Sequence, residues 1–311
     1  MLAALPAPAS AAEPCEMSAA DRAWLSASLD AWPQARSEVL ALPPAPMPEV
    51  TVYDLRCAYV TRDGDASDLA ATPHRGAAIV IGGRTLPPGP YAAAEASNRF
   101  TMSLPSVWRH AGVSSGLGLE RFMTGVFLHE VMHTAQSHLL AHARDRIGPN
   151  SEGFAALSDD TIQELFAQDE AYVALYRAEL ELLYRAANAP TDEDARRLAG
   201  EALAAMDQRR ARFFTGRRAY LARLDDTFLT MEGLGQMVMY RYLMAQPGGG
   251  AHAPLVLGEV RNNGAFWTQD AGFGLMRVVA RLVPDWQARV FDPHRWQARA
   301  LLAAAAAGGQ G

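Results

Sequence analysis

The chain has 311 residues, half of them hydrophobic and a fifth charged, with a formal net charge of −6. That is enough apolar material for one large domain or two ordinary ones; it excludes wholesale disorder, and the acidic balance gives nucleic acid or an anionic membrane no electrostatic hold. All 28 basic residues are arginine, so mechanisms that need a lysine amine (P-loop, protein-kinase and Schiff-base chemistry) are excluded.

In chain order, residues 1–15 read as a leader. The apolar, Ala-rich start ends in Ala9-Ser10-Ala11, the small-residue pattern of a signal-peptidase site, although no basic segment precedes it. The expectation is an exported protein, periplasmic or secreted. Cys15 and Cys57 are then either one disulfide or, in a reducing compartment, two separate thiols. Residues 16–118 read as a small mixed α/β part. Ser18 caps a helix to about Leu29, with Asp21 completing a capping-box analogue. A proline-rich linker at 43–48 leads into a strand at 49–60, and a second strand is expected at 76–81. From 119 to 296 glycine and proline become sparse and apolar residues recur at helical spacing. Helices are expected at 119–146, 159–187, 192–214, 217–245 and 272–291, with Ser158 and Thr191 as N-caps. Residues 297–311 read as a frayed Ala/Gly tail. No apolar run is long enough to span a membrane.

The chemistry concentrates in His129-Glu130-Val131-Met132-His133. On a helix, residues four apart differ by about 40° in direction and about 6 Å in height, so two imidazoles can grip one metal ion. Glu130, about 100° round from His129, can reach a water on that ion and act as general base. Chance produces such a motif in a chain of this composition in roughly one case in a hundred. Its apolar neighbours Phe127, Leu128, Val131 and Met132 bury the helix, where two His and a Glu are costly unless something binds them. His138 and His142 form a second pair four apart, but without an adjacent base they read as a solvated face.

A catalytic zinc needs a third protein ligand. The metzincin spacing fails, because Gln136 and Leu139 stand where it requires Gly and His. Glu232, in Met231-Glu232-Gly233-Leu234-Gly235, is the leading candidate, with Glu164 and Glu170 as rivals. Glycine inside a helix costs about 1 kcal/mol against alanine, so close approach of this helix to the metal helix is the expected reason for the pair. A di-iron carboxylate site would need a second Glu-x-x-His, which the chain lacks.

Together, His129-Glu130-Val131-Met132-His133 and Glu232-Gly233-Leu234-Gly235 resemble the gluzincin metallopeptidases, a group that includes thermolysin-like and aminopeptidase-N-like enzymes. The resemblance covers the two motif helices. It departs from the Asn-Glu-Gly-x-Ala context at Met231 and Gly235, and the interval between the motifs is far longer. It implies an α+β, zincin-like fold, Zn2+ held by His129, His133 and Glu232, Glu130 as catalytic base, and a peptide or protein substrate lying along an edge strand, for which 76–81 is the candidate. A transition-state electrophile is expected from Tyr172, Tyr240, Arg241 or Tyr242, and Asp225 is either a partner of a ligating histidine or a solvated acid. The competing expectations are a zincin-like metal-binding scaffold without peptidase activity, or hydrolysis of a non-peptide amide.

Overall fold

The computed structural model describes residues 14–61, 64–74, 79–81, 84–95, 98–139, 141, 158–247 and 252–308. The protein is mainly helical, with a small mixed sheet near the N-terminus, an α+β arrangement. Its first helix, α1 (Ala19–Glu38), starts where the sequence predicts: the Ser18 hydroxyl accepts from the Asp21 N–H. It runs well beyond Leu29 because Trp24, Leu25, Leu29, Trp32 and Ala35 continue one buried face.

The strand expected at 49–60 is a hairpin instead, β1 (Glu49–Tyr53) and β2 (Cys57–Thr61). Asp54 makes the turn, its Oδ1 accepting from the N–H groups of Arg56 and Cys57 at 2.7 Å each. β3 (Leu69–Pro73) adds to β2. β4 (Ile79–Ile81) and β5 (Arg84–Leu86) form a separate antiparallel ladder, while β6 (Ala92–Glu95) and β7 (Arg99–Ser103) complete the main sheet. The order is β3-β2-β1-β7-β6, with β1 and β7 parallel and the other pairs antiparallel. β6 is therefore an edge strand. Of the segment expected at 76–81, only Ile79–Ile81 lies among the described residues, and it belongs to the separate ladder. A disulfide joins Cys15 to Cys57 and ties the residues ahead of α1 to β2, so Cys15 belongs to the folded unit and not to a leader.

After the short α2 (Pro105–His110) comes α3 (Leu119–Ala135), which carries the His-Glu motif. The expected 159–187 helix is two, α4 (Thr161–Phe166) and α5 (Glu170–Ala187), because Asp169 breaks the run and caps α5. Ser158 is not the cap of α4; Asp160 holds that position. Thr191 does cap α6 (Asp192–Phe213), accepting from the Asp194 N–H. Then follow α7 (Leu221–Ala245), α8 (Ala253–Arg261), α9 (Trp267–Leu282), α10 (Trp286–Val290) and α11 (Ala298–Ala306). Pro284, which has no N–H to continue a helix, separates α9 from α10 in place of the single 272–291 helix. The tail expected to fray from residue 297 is corrected too: α11 buries Ala298, Leu301, Leu302 and Ala305.

One hydrophobic core runs from Met17 to Ala305 and joins the sheet to the helices. α3 lies between α1, the β6–β7 side of the sheet and α7. Phe127 meets Phe100 of β7 and Trp24 of α1 edge-on, and Ser28 bonds Thr124 at 3.0 Å. α7 crosses the core, with every residue from Leu229 to Met239 buried. Where α7 crosses α9, Gly233 faces Gly272 so closely that a Cβ on either would overlap the other helix's backbone.

Candidate metal centre

α3 and α7 bring His129, His133 and Glu232 to one point. His129 Nε2 lies 3.1 Å from Glu232 Oε2, His133 Nε2 lies 3.3 Å from Glu232 Oε1, and the two Nε2 atoms are 3.1 Å apart. One ligand atom from each falls within a 4.8 Å span, so this buried group could hold a metal ion. It is the one His/Cys/Asp/Glu cluster of that kind among the described residues. Glu164 and Glu170 are exposed and take no part.

The two glycines beside Glu232 have separate reasons. Gly235 stands against the His129 ring, where a Cβ would lie 2.7 Å from both Cε1 and Nδ1. Gly233 instead admits α9. Of this pair only Gly235 faces the His-bearing helix α3, which in turn sets its own Gly125 against α7, where a Cβ would lie 2.9 Å from Met239 Cγ. Gln136, the residue after α3, accepts from His133 Nδ1 at 3.3 Å. That bond keeps the proton on Nδ1 and leaves the Nε2 lone pair for the cluster.

Electrostatics without an ion show how strongly these groups are coupled. Burial by itself works against a charged His133, but the charge and hydrogen bond of Glu232, with the charge of Glu130, raise its pKa to about 9. For Glu232, burial pushes upward and the two imidazoles prevail, holding the carboxyl well below the usual carboxylate range. A bound cation would take the place of the protons that now balance this carboxylate.

A cavity of about 330 Å³ opens onto the group, lined by His133, Glu232, Glu130, Ser137, Asp159 and Gln269, with Phe228 and Met231 as apolar wall. Glu130 is half-buried, outside the three-residue cluster, and its pKa is raised mainly by burial. The backbone N–H of Ala94 bonds its carboxylate, and Ala92, Ala93 and Ala94 of β6 line the same cavity. The strand beside the helix that carries His129 and His133 is therefore β6; Ile79–Ile81, the described part of the 76–81 segment, does not line the cavity. Asp159 is the other carboxylate in the wall; burial first, then the charges of Glu232 and Asp160, raise it to about 7. Gln136, Asp159 and the Ala92–Ala94 stretch carried no signal in the sequence, since none belongs to a motif and an alanine run shows no strand period.

None of the expected electrophiles reaches the cavity. Tyr172 accepts a hydrogen bond from Arg209 in a buried ion network, Tyr240 packs on Phe273, Tyr242 bonds Thr124, and Arg241 lies on the exposed surface. Asp225 is neither a histidine partner nor solvated. It is buried and pairs with Arg209 and Arg210 at 3.0 and 2.8 Å, beside the bidentate Arg209–Glu179 pair. His138 is exposed, as expected of a solvated face, with Nε2 3.3 Å from the Phe291 carbonyl; His142 lies outside the described residues. No helix is long and apolar enough to cross a membrane among the described residues. Comparison of the chain with protein-family models, with curated proteins and with solved structures finds no match.

Proposed function

We propose that this protein is a zinc-dependent hydrolase of zincin-like design, most simply a metallopeptidase. The observation that carries the reading is the convergence of His129, His133 and Glu232 with the carboxylate of Glu130 beside them but outside the ligand set. Four-coordinate zinc with bonds of about 2.0–2.1 Å sets its ligand atoms about 3.3 Å apart. The 3.1–3.3 Å separations found here suit that geometry. Two imidazoles and one carboxylate are also the ligand set of a catalytic site with an open position, whereas a purely structural zinc normally recruits four protein ligands.

Zinc, when bound, supplies a Lewis acid and a water whose pKa falls to about 7. The remaining work belongs to the chain. Glu130 accepts a proton from the attacking water and later delivers it to the leaving nitrogen, so the carboxylate ends as it began. Gln136 holds His133 in the tautomer that ligates. β6, an edge strand among the described residues, runs along the cavity wall at Ala92–Ala94, where an extended peptide would lie.

The test is metal content followed by turnover. The purified protein should bind one zinc per chain, and Glu130→Gln should keep the zinc while losing hydrolysis of a mixed peptide library. Retained turnover in Glu130→Gln would remove Glu130 from the mechanism. One observation favours the scaffold alternative: no Tyr or Arg, and no His besides His133, is among the described residues lining the cavity to meet a developing oxyanion. Full zinc occupancy with no turnover of any peptide or simple amide would select it. The disulfide suits the proposed export, because such bonds persist in oxidising compartments.

A further inference from the structure

We infer that Asp159 is a substrate-recognition carboxylate, and that the substrate carries a positively charged ammonium or guanidinium group close to the bond that is cut. The inference rests on the hydrolase reading above and names the substrate class of the same site.

Asp159 lines the cavity shared by Glu130, His133 and Glu232, yet it does not join the three ligand atoms that lie within 4.8 Å of one another. It is placed to face what the cavity holds and not to bind the ion. Its position is fixed from behind. The Thr268 hydroxyl donates to the Asp159 carbonyl at 2.7 Å, and Gln163 bridges the Ala265 carbonyl and the Trp267 N–H at 3.0 and 2.9 Å, anchoring this segment to the start of α9. These bonds use backbone and neighbouring groups and leave the carboxylate for the cavity, with its own backbone N–H as a hydrogen-bond donor.

No arginine among the described residues pairs with Asp159, and none lines the cavity. Buried Glu179, Asp225 and Asp270 each hold a guanidinium, Glu232 holds two imidazoles and Asp21 is met by Ser18 and the Ser106 N–H, whereas among the described residues the cavity side of Asp159 has no such cation. A half-buried carboxylate in a cavity wall without a counter-charge is a ready partner for a cationic ligand. Charge balance points the same way. Glu130, Asp159 and Glu232 set three carboxylates around one cavity, which favours a cationic group on whatever enters it. Phe228 and Met231 supply apolar wall for the stem that bears the charge. An amino terminus and a basic side chain present the same chemistry, so the experiment separates them.

Zinc-loaded Glu130→Gln protein, unable to turn over, is titrated with trialanine amide, with its N-acetyl form, and with the N-acetyl form carrying arginine in place of the central alanine. A charge-assisted hydrogen bond should make one cationic peptide bind about 10- to 100-fold tighter than the neutral one. The tighter of the two cationic peptides identifies the source of the charge. Adding the near-isosteric Asp159→Asn should bring the cationic peptide down to the neutral level while zinc affinity stays the same. Equal binding of all three peptides, no binding of any, a preference that survives Asp159→Asn, or loss of zinc in that variant would each overturn the proposal. The three-peptide comparison needs no change at Asp159, so it stands even if that variant misfolds. Discriminating binding with no hydrolysis by the wild type would sink the hydrolase reading and leave the recognition intact. Hydrolysis without discrimination would do the reverse.

Discussion

Replacing Gly235 by alanine places a methyl group against the His129 ring of the candidate metal group. The added carbon would lie 2.7 Å from Cε1 and Nδ1 of His129 and 2.8 Å from Cγ. Comfortable carbon contacts start at about 3.5 Å, so the ring or the helix must give by about 0.8 Å. Metal–ligand bonds tolerate only about 0.2 Å, so a shift of that size should cost on the order of 10²-fold in zinc affinity. Stability moves far less. Alanine gains about 1 kcal/mol in helix propensity, while overpacking a buried site costs about 1–3 kcal/mol, for a net loss of about 0–2 kcal/mol. The assay is competitive chelator titration alongside thermal unfolding of the metal-free protein. Gly200→Ala on α6 is the control: nothing lies within 4 Å of its Cβ position, so it should gain about 1 kcal/mol of stability and leave zinc affinity alone. Zinc affinity in Gly235→Ala within about threefold of wild type, a small fraction of the loss argued from bond tolerance, would refute the steric reasoning.

Glu232→Ala should lower zinc affinity by at least ~10²-fold, while Glu164→Ala and Glu170→Ala on the exposed surface leave it unchanged; equal losses in the chelator titration would return the third ligand to doubt. Asp225, although burial works against its charge, has its pKa held below the ordinary value by Arg209 and Arg210. The stability it contributes is therefore complete above the unfolded-state value near ~4 and declines as pH falls toward the lower folded-state value; urea unfolding from pH 6 to 2 should show that slope, and Asp225→Asn should reduce it. At neutral pH the same substitution breaks a buried ion network and should cost about 3–5 kcal/mol. Reducing the Cys15–Cys57 bond, which spans 42 residues, should cost about 4 kcal/mol if chain entropy dominates, read as a fall in the denaturation midpoint of the Cys15→Ser, Cys57→Ser protein.

Local signals located most of the helices and few of their joints. The Ser18 and Thr191 caps were legible because each is a hydroxyl ahead of an acid and an apolar run. The hairpin in 49–61 was not, since Asp54 turns the chain through its side chain inside a continuous run of strand formers. Burial of α11 was equally hidden, because an Ala-rich end reads as frayed until neighbouring helices cover it. Asp225 illustrates the limit for charges: its spacing from Glu232 offered two roles, and the structure gives it a third, decided by arginines on another helix.

The sequence by itself determined the pair of imidazoles and the carboxylate beside them, because four-residue spacing on one helix fixes direction without help from the rest of the chain. It also put forward three glutamates for the distant carboxylate, Glu232 ahead of Glu164 and Glu170 because a glutamate flanked by helix glycines needs a reason. Choosing among those three, placing β6 and Asp159 in the cavity, and moving every expected electrophile out of it required the packing of α3, α7, α9 and the sheet. Contacts between residues a hundred positions apart depend on which faces the whole core buries together, and no window of local pattern contains that information.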